Sequence, residues 1–149
     1  MLFRSDAIAG VATGAIPQGA LVADALNLPF VYVRSTPKDH GLENLIEGEL
    51  RPGMKVVVVE DLISTGGSSL KAVEAIRRDG CEVIGMVAAY TYGFPIAEKA
   101  FKDAKVPLVT LTNYEAVMEV ALRTGYIEEE DVLTLNEWRK DPAHWEAGK

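Results

Sequence analysis

Two carboxylates and a glycine-rich loop carry the clearest chemistry in this sequence. Glu60 and Asp61 follow the valine run 56–59, and the loop 64–68 comes within eight residues of Glu60. Four consecutive valines predict a strand buried on both faces, as in the middle of a parallel sheet. A helix is predicted over residues 70–79, so the loop lies between a strand end and a helix N-terminus. Such a position favours a phosphate, because backbone N–H groups and the helix dipole both attract anions.

The loop itself has the composition of a phosphate cradle that uses no lysine. Its hydroxyl side chains, which can donate hydrogen bonds to phosphate oxygens, are Ser64, Thr65 and Ser68. It lacks the Gly-x-x-x-x-Gly-Lys-Ser/Thr pattern of a P-loop, and no Gly-x-Gly-x-x-Gly follows the first predicted strand. The alternative interpretation is a glycine-rich turn without a ligand.

The acid pair adds a sugar to this prediction. Glu60 and Asp61 are adjacent on an extended segment, so their side chains should point in opposite directions and do different work. A carboxylate accepts hydrogen bonds from a sugar diol. Acid pairs at strand ends also occur in metal-dependent hydrolases and phospho-acceptor domains, so the pair alone is a weak signal. Combined with the cradle, it predicts a sugar phosphate as ligand.

Strands and helices alternate along the chain, which predicts an α/β fold with a mostly parallel, doubly wound sheet flanked by helices. The predicted strands are residues 7–12, 30–34, 56–59, 82–90 and 106–111. The predicted helices are residues 17–27, 70–79, 96–104 and one ending at 123 behind a capping box at Thr112 and Glu115, with further helical turns in 127–145. The 149 residues suffice for a single domain.

Composition excludes several classes of partner. The chain has 15 basic and 22 acidic residues, a net charge of −7, which argues against nucleic acid because binding to its backbone needs a basic surface. No apolar run approaches the roughly 18 residues of a membrane span. Cys81 is the single cysteine, and the first residues do not resemble a signal peptide. We therefore expect a cytoplasmic protein that binds neither nucleic acid nor membrane.

Residues 35–50 differ from the rest of the chain. They are polar and show no sustained helical or strand period, which is typical of a mobile lid over a site. Arg34, Lys38 and His40 cluster at the start of this segment in an otherwise acidic protein. The alternative is a surface loop with no role.

These segments together resemble the type I phosphoribosyltransferases. Residues 56–68 match their motif for phosphoribosyl pyrophosphate (PRPP): an apolar strand, two acids and a Ser/Thr-Gly loop. The run Arg34-Ser-Thr-Pro-Lys38-Asp39-His40-Gly41 is similar to the R-x-x-x-K-D-H-G lid of the orotate phosphoribosyltransferases. Residues 10–16 lie where that family has its pyrophosphate loop, and residues 91–95 and 111–114 look like one bacterial branch of it. The resemblance runs from Ala7 to the end of the chain.

The resemblance implies an Mg²⁺-dependent pentosyltransferase that converts orotate and PRPP to orotidine 5′-monophosphate and pyrophosphate, in pyrimidine (UMP) synthesis. It also implies a homodimer, and a metal ion held through substrate and water with no direct protein ligand. The implied catalytic residues are Lys38, Asp61 and Glu60. The implied PRPP-binding residues are Arg34, Lys38, His40, Glu60, Asp61, Leu62, Ile63, Ser64, Thr65, Gly66, Gly67 and Ser68. Thr13, Gly14 and Ala15 would form the pyrophosphate loop, and Ser64 and Tyr92 would contact orotate.

The sequence departs from the family pattern at several positions. Gly14 stands where many members have a lysine, Ser35 where others have a lysine, and Tyr92 where some have an arginine. The chain also begins at what should be an internal strand, so we expect the N-terminal segment that hoods the base to be lacking. PRPP binding should then survive better than orotate turnover. The alternatives are a PRPP-binding core or regulator with weak or no turnover, and a phosphoribosyltransferase for another base.

Overall fold

A six-stranded sheet organises the part of the chain that the structure, a computed structural model, describes: residues 4–34 and 45–145. The strands are β1 (Ala7–Val11), β2 (Phe30–Val33), β3 (Ile46–Glu47), β4 (Lys55–Ile63), β5 (Glu82–Thr91) and β6 (Leu108–Asn113). Their order is β3-β2-β1-β4-β5-β6. All neighbours are parallel except β3, which pairs with β2 in the antiparallel sense. The predicted mostly parallel sheet is therefore confirmed.

Helices follow the strands as the sequence predicts. They are α1 (Ile16–Leu26), α2 (Gly67–Arg78), α3 (Pro95–Asp103), α4 (Tyr114–Arg123) and α5 (Glu129–Lys140), with a short 3-10 helix at Pro142–His144. Proline at the first turns of α1 and α3 suits a helix start, where its missing N–H would have no partner. Within the described ranges, no helix combines the length and apolarity needed to cross a membrane.

The strand β4 is longer than the valine run predicted. It continues through both acids to Ile63, because β5 runs parallel beside it and pairs with Glu60, Leu62 and Ile63 as far as Thr91. The acids thus lie on the strand and not after it. A sequence pattern of side chains does not show how far a neighbouring strand extends the pairing.

Other boundaries also differ from the predictions. Residues 46–47 form the edge strand β3 inside the segment predicted to lack strands, because β2 offers them a partner. The strand β6 begins at Leu108 and not at residue 106, in register with Met86 of β5. The capping box predicted at Thr112 is wrong, since Thr112 belongs to β6 and α4 begins at Tyr114. A capping box is instead formed at Glu128 and Asp131, at the start of α5.

Both faces of the sheet are packed. Side chains of alternate β4 valines point to opposite faces: Val56 and Val58 join α2 and α3 in one core cluster, whereas Val57 and Val59 join α1 in the other. Burial on both faces explains why the strand sequence is uniformly apolar.

Contacts divide the chain into two compact units, Met1–Asn113 and Tyr114–Lys149. The first holds the whole sheet with α1 to α3, and the second holds α4 and α5. In the second unit Arg139 pairs with Glu115 at 2.6 Å and lies 4.6 Å from the centre of the Tyr114 ring. The single domain over residues 1–149 stays a prediction.

The core on the α2 face allows a matched test. Replacing Ile76, which is 0% exposed, by Ala should lower the free energy of unfolding by about 2–5 kcal/mol, because a cavity is left in a packed core. The control Ile96→Ala removes a side chain that is 63% exposed and should change it by about 0.5 kcal/mol or less. Urea unfolding followed by circular dichroism measures both. Equal losses in the two variants would contradict this packing.

Candidate active site

The strand order places a crevice between β1 and β4. On one side of this point the sheet runs from β1 through β2 to β3, and on the other side it runs from β4 through β5 to β6. In open α/β sheets, ligands bind outside the carboxyl ends of the strands at such a switch point. The loops at this point are residues 12–15 after β1 and residues 64–66 after β4. These are the two segments that the sequence predicts to hold pyrophosphate and phosphate.

Asp61 joins the two loops. It is half-buried, and a Cβ atom at position 14 would overlap its Oδ2 atom. Its Oδ1 atom accepts a 2.7 Å hydrogen bond from the Leu62 N–H. The carboxylate therefore lies against the backbone of Gly14, and only glycine leaves room for it there. A lysine at this position would be incompatible with this placement of Asp61.

The predicted pyrophosphate loop is open at two of its three residues. Thr13 and Gly14 are exposed, whereas Ala15 is buried. The Ala15 N–H donates to the Val11 carbonyl at 3.1 Å and so closes the turn into α1. The Ala12–Thr13 peptide bond is cis.

Glu60 faces the opposite side of β4. Its side chain is 4% exposed, its Oε2 accepts a 2.7 Å hydrogen bond from Ser69 Oγ of α2, and its Oε1 accepts a 3.0 Å bond from the Asp61 N–H. Burial raises the pKa of Glu60 to about 7, and the neighbouring Asp61 carboxyl adds to the rise. The two acids contact different elements: Glu60 bonds Ser69 of α2, whereas the Asp61 carboxylate lies against Gly14.

The glycine-rich loop presents its hydroxyls to solvent. Ser64, Thr65 and Ser68 are exposed together with Gly67, whereas Gly66 is buried. Gly66 has φ = 82°, which favours glycine, and a Cβ there would lie 2.8 Å from Phe101 Cε2 of α3. It immediately precedes α2, whose N-terminus has no side-chain cap. Uncapped N–H groups at a helix start can bind an anion.

Three further predicted residues border the site. The Tyr92 N–H donates to the Ile63 carbonyl at 3.1 Å, which places Tyr92 directly beside the end of β4. Its ring stacks on Phe94 with centroids 5.4 Å apart and meets Tyr90 edge-on at 5.1 Å. Leu62 of the predicted PRPP set is exposed, whereas Ile63 is fully buried and can offer a ligand only its backbone.

Arg34 is the one lid cation among the described residues. Its guanidinium lies 3.4 Å from Glu47 of β3, and each side chain is 28% exposed. The Arg34 N–H also donates to the Leu45 carbonyl at 2.8 Å. Lys38, His40 and most of the predicted lid lie outside the described residues.

Sequence reasoning missed Ser69. The predicted cradle stops at Ser68, yet Ser69 is the hydroxyl that turns inward, is 1% exposed and bonds Glu60. Adjacent residues on a helix lie about 100° apart, so Ser68 and Ser69 cannot share a direction. The position of the helix start decides which of them faces the strand, and the sequence placed that start at residue 70 rather than at Gly67.

Comparisons with known proteins agree with this geometry. Residues 2–123 match the phosphoribosyl transferase domain family, and the chain belongs to it. An orotate phosphoribosyltransferase of Bacteroides fragilis is 95% identical over 144 residues, which are 97% of this chain and 68% of that protein. On this identity the chain groups with the orotate phosphoribosyltransferases.

Solved structures support the same assignment. The crystal structure of orotate phosphoribosyltransferase from Aeropyrum pernix superposes with a TM-score of 0.72 at 34% identity, over 84% of this chain and 68% of that one. The Mycobacterium tuberculosis enzyme in complex with PRPP gives 0.64 at 27% identity, over 76% of this chain and 65% of that one. The predicted type I phosphoribosyltransferase fold is confirmed.

Burial of Glu60 makes stability depend on pH. Its pKa is about 7 in the folded protein against an ordinary 4.5, so the folded state holds this proton more tightly. The stabilisation is complete below the ordinary pKa and is lost as the pH rises through about 7. The variant Glu60→Gln does not titrate, so it should gain about 3 kcal/mol relative to the native protein across this range. Urea unfolding at a series of pH values measures the difference.

A second variant should show the opposite sign. Hydrogen bonds from its own N–H and from Arg139 lower the pKa of Glu115, so its stabilisation is present above the ordinary pKa and is lost as the pH falls. Glu115→Gln should therefore lose stability relative to the native protein as the pH rises.

If the free energy of unfolding varies with pH in the same way for Glu60→Gln and for the native protein, the assignment of Glu60 as a buried acid is refuted.

Proposed function

We propose that this chain is an orotate phosphoribosyltransferase, which transfers the 5-phosphoribosyl group from PRPP to orotate in pyrimidine (UMP) synthesis. The bond between ribose C1 and a pyrophosphate oxygen breaks, and a bond from C1 to a ring nitrogen of orotate forms as that nitrogen loses its proton. The observation that carries the proposal is the placement of the Asp61 carboxylate against Gly14, on the strand that leads into the uncapped start of α2. The base is inferred from the close identity with orotate phosphoribosyltransferases.

The loop after β4 would hold the 5′-phosphate. The exposed hydroxyls of Ser64, Thr65 and Ser68 can donate to its oxygens, and the backbone from Leu62 to Gly67 leads these groups to the start of α2. Because Gly66 packs against Phe101, α3 supports the loop from behind. A rigid support keeps the donors in place before the ligand arrives, which lowers the cost of binding.

The acid pair would act on the ribose. Asp61 faces the crevice and would accept hydrogen bonds from the ribose hydroxyls, and its negative charge would stabilise positive charge that builds up on the ring. Glu60, when ionised, would add a second negative charge from beneath the strand. Its carboxylate is bonded to Ser69, so a direct ribose contact by Glu60 would require it to leave that hydroxyl.

Cations would receive the leaving group. Arg34, Lys38 and His40, with the loop Thr13 to Ala15, would bind the pyrophosphate and neutralise its charge. Arg34 already lies beside Glu47, and a pyrophosphate with more negative charge can replace that carboxylate. Lys38 would be catalytic because its positive charge would neutralise the pyrophosphate as it leaves. Residues 35–50 would close as a lid over PRPP.

Tyr92 and Ser64 would contact orotate at the end of β4 and β5. The Tyr92 ring is held between Tyr90 and Phe94, so its orientation is restricted. A phenol can donate a hydrogen bond to the orotate carboxylate, although it supplies no charge as the arginine of other members does.

Mg²⁺ would enter with the substrate. Among residues 4–34 and 45–145, no three His, Cys, Asp or Glu side chains are grouped to hold a metal ion. PRPP oxygens and water would coordinate the Mg²⁺ ion, which is a common habit of this metal. The ion would neutralise charge on the pyrophosphate. A homodimer and a cytoplasmic location belong to the same proposal.

The decisive experiment follows the loss of orotate absorbance in the presence of PRPP and Mg²⁺. The Bacteroides fragilis relative is the positive control, and adenine in place of orotate tests another base. We expect turnover with orotate only. PRPP binding in calorimetry without turnover of any base would instead support the PRPP-binding alternative.

Asp61→Asn should lower kcat by about 10²–10³-fold, because it removes the charge that faces the ribose. The matched control is Asp79→Asn at the exposed C-terminus of α2, which should leave kcat unchanged. The same absorbance assay measures both. Equal activity of the two variants would exclude a role for Asp61 in the reaction.

Gly14→Ala should reduce kcat/KM for PRPP, because the added methyl group overlaps Asp61 Oδ2 and displaces the carboxylate. If that is the mechanism, the effect needs the Asp61 side chain. In an Asp61→Ala background, Gly14→Ala should therefore cause less than about a threefold further change, because the effects of contacting residues are not additive. Additive losses would show that Gly14 acts independently of Asp61.

A further inference from the structure

A chain of hydrogen bonds runs from the helix α2 to the backbone of Asp61. Ser69 Oγ donates to Glu60 Oε2 at 2.7 Å, and the Asp61 N–H donates to Glu60 Oε1 at 3.0 Å. The two side chains that take part in these hydrogen bonds are buried: Ser69 is 1% exposed and Glu60 is 4% exposed. One carboxylate thus links a helix to the strand residue that faces the crevice.

We propose that Ser69 is a positioning residue: it fixes the Glu60 carboxylate and, through it, holds Asp61 at the ribose side of the site. The effect on catalysis rests on the proposed function, whereas the effect on Glu60 does not. Ser69 itself touches no substrate, because its hydroxyl is buried beneath β4 and bonds Glu60.

The surroundings of Glu60 make the hydroxyl important. Among the described residues, Glu60 accepts hydrogen bonds from the Ser69 hydroxyl of α2 and from the Asp61 N–H, and its register neighbour on β5 is Ala88. Gly10 of β1 pairs with the preceding Val59. Within residues 4–34 and 45–145, Asp61 is the titratable side chain that acts on Glu60, and it raises the Glu60 pKa. The carboxylate is therefore held by hydrogen bonds and not by a cation.

The Ser69 hydroxyl and the burial of Glu60 have opposite effects on the pKa of Glu60. Burial raises the pKa of Glu60, and the hydrogen bond from Ser69 lowers it. Without the hydroxyl, the pKa should move further up and the acid should be mostly protonated at neutral pH. A protonated Glu60 carries no charge and accepts more weakly from the Asp61 N–H. Ser69 would thus help to keep Glu60 ionised and Asp61 in position near neutral pH.

The direct test is carbon NMR of protein labelled with ¹³C at the glutamate carboxyl. The Glu60 signal is identified as the one missing in Glu60→Gln. In Ser69→Ala its titration should move to higher pH, and in Ser69→Cys, which keeps a weaker donor in similar volume, by a smaller amount. An unchanged Glu60 titration in Ser69→Ala would overturn the proposal, and this readout needs no turnover.

Kinetics test the consequence for the reaction. Ser69→Ala should lower kcat/KM for PRPP at neutral pH about tenfold, the scale for losing a hydrogen bond to a charged group, and should move the acidic limb of the pH profile upward. Histidine side chains ordinarily titrate near neutral pH, so the profile is repeated in a Glu60→Gln background. There Ser69→Ala should shift nothing.

The outcomes separate the two proposals. A shifted Glu60 titration in a chain that turns over no base would sink the proposed function and leave the link between Ser69 and Glu60 intact. An equal shift of the pH profile in the Glu60→Gln background would mean that Ser69 acts on another group, and the positioning role would be refuted. Thermal unfolding of each variant identifies losses that come only from lower stability.

Discussion

Parallel pairing of β4 with both β1 and β5 is the constraint on which the site depends. Parallel strands place their carboxyl ends at one edge of the sheet, so the loops after β1 and β4 must meet there. Pairing with β5 also carries β4 past the valines and makes the two acids part of the strand. On a pleated strand, neighbouring side chains take opposite faces. Glu60 is buried towards α2 and Asp61 is left facing the crevice because of this one geometric rule.

Close approach of backbone and side chain explains the glycines of the site. Gly14 leaves space for the Asp61 carboxylate, and Gly66 leaves space for the Phe101 ring of α3. Neither role concerns the ligand directly. Each lets a packed element approach a loop closely enough to hold it, and Gly66 has in addition a positive φ. A lysine at position 14 would need a different position of the acid.

Burial of the Glu60 carboxyl lowers the stability of the protein and also changes the pKa of the acid. Burial of Glu60 destabilises its ionised form and raises its pKa into the neutral range. The hydrogen bonds from Ser69 and from the Asp61 N–H offset part of that cost. Groups with such shifted pKa values are frequent at functional sites, since reactivity there often requires a charge that solvent does not screen. In this chain the destabilising group is Glu60, which lies where β4 packs against Ser69 of α2.

The sequence by itself determined the fold class, the identity of the acids and the glycine-rich loop, because these depend on local patterns. Four valines in a row indicate a buried strand whatever surrounds it, and a loop of glycines and hydroxyls indicates flexible, donor-rich backbone. The resemblance of residues 34–41 and 56–68 to known motifs indicated the family, which the comparisons confirm. The individual site residues stay predictions.

Only the tertiary structure decided where β4 ends, that β3 forms an edge strand, and which serine turns inward. Each of these depends on a partner distant in sequence: β5 extends β4, β2 pairs β3, and Glu60 receives Ser69. The register of α2 against β4 chose Ser69 over Ser68, and a shift of one residue would have reversed that choice. Adjacent serines look alike in a sequence, and only packing against the strand gives one of them a buried carboxylate to bond.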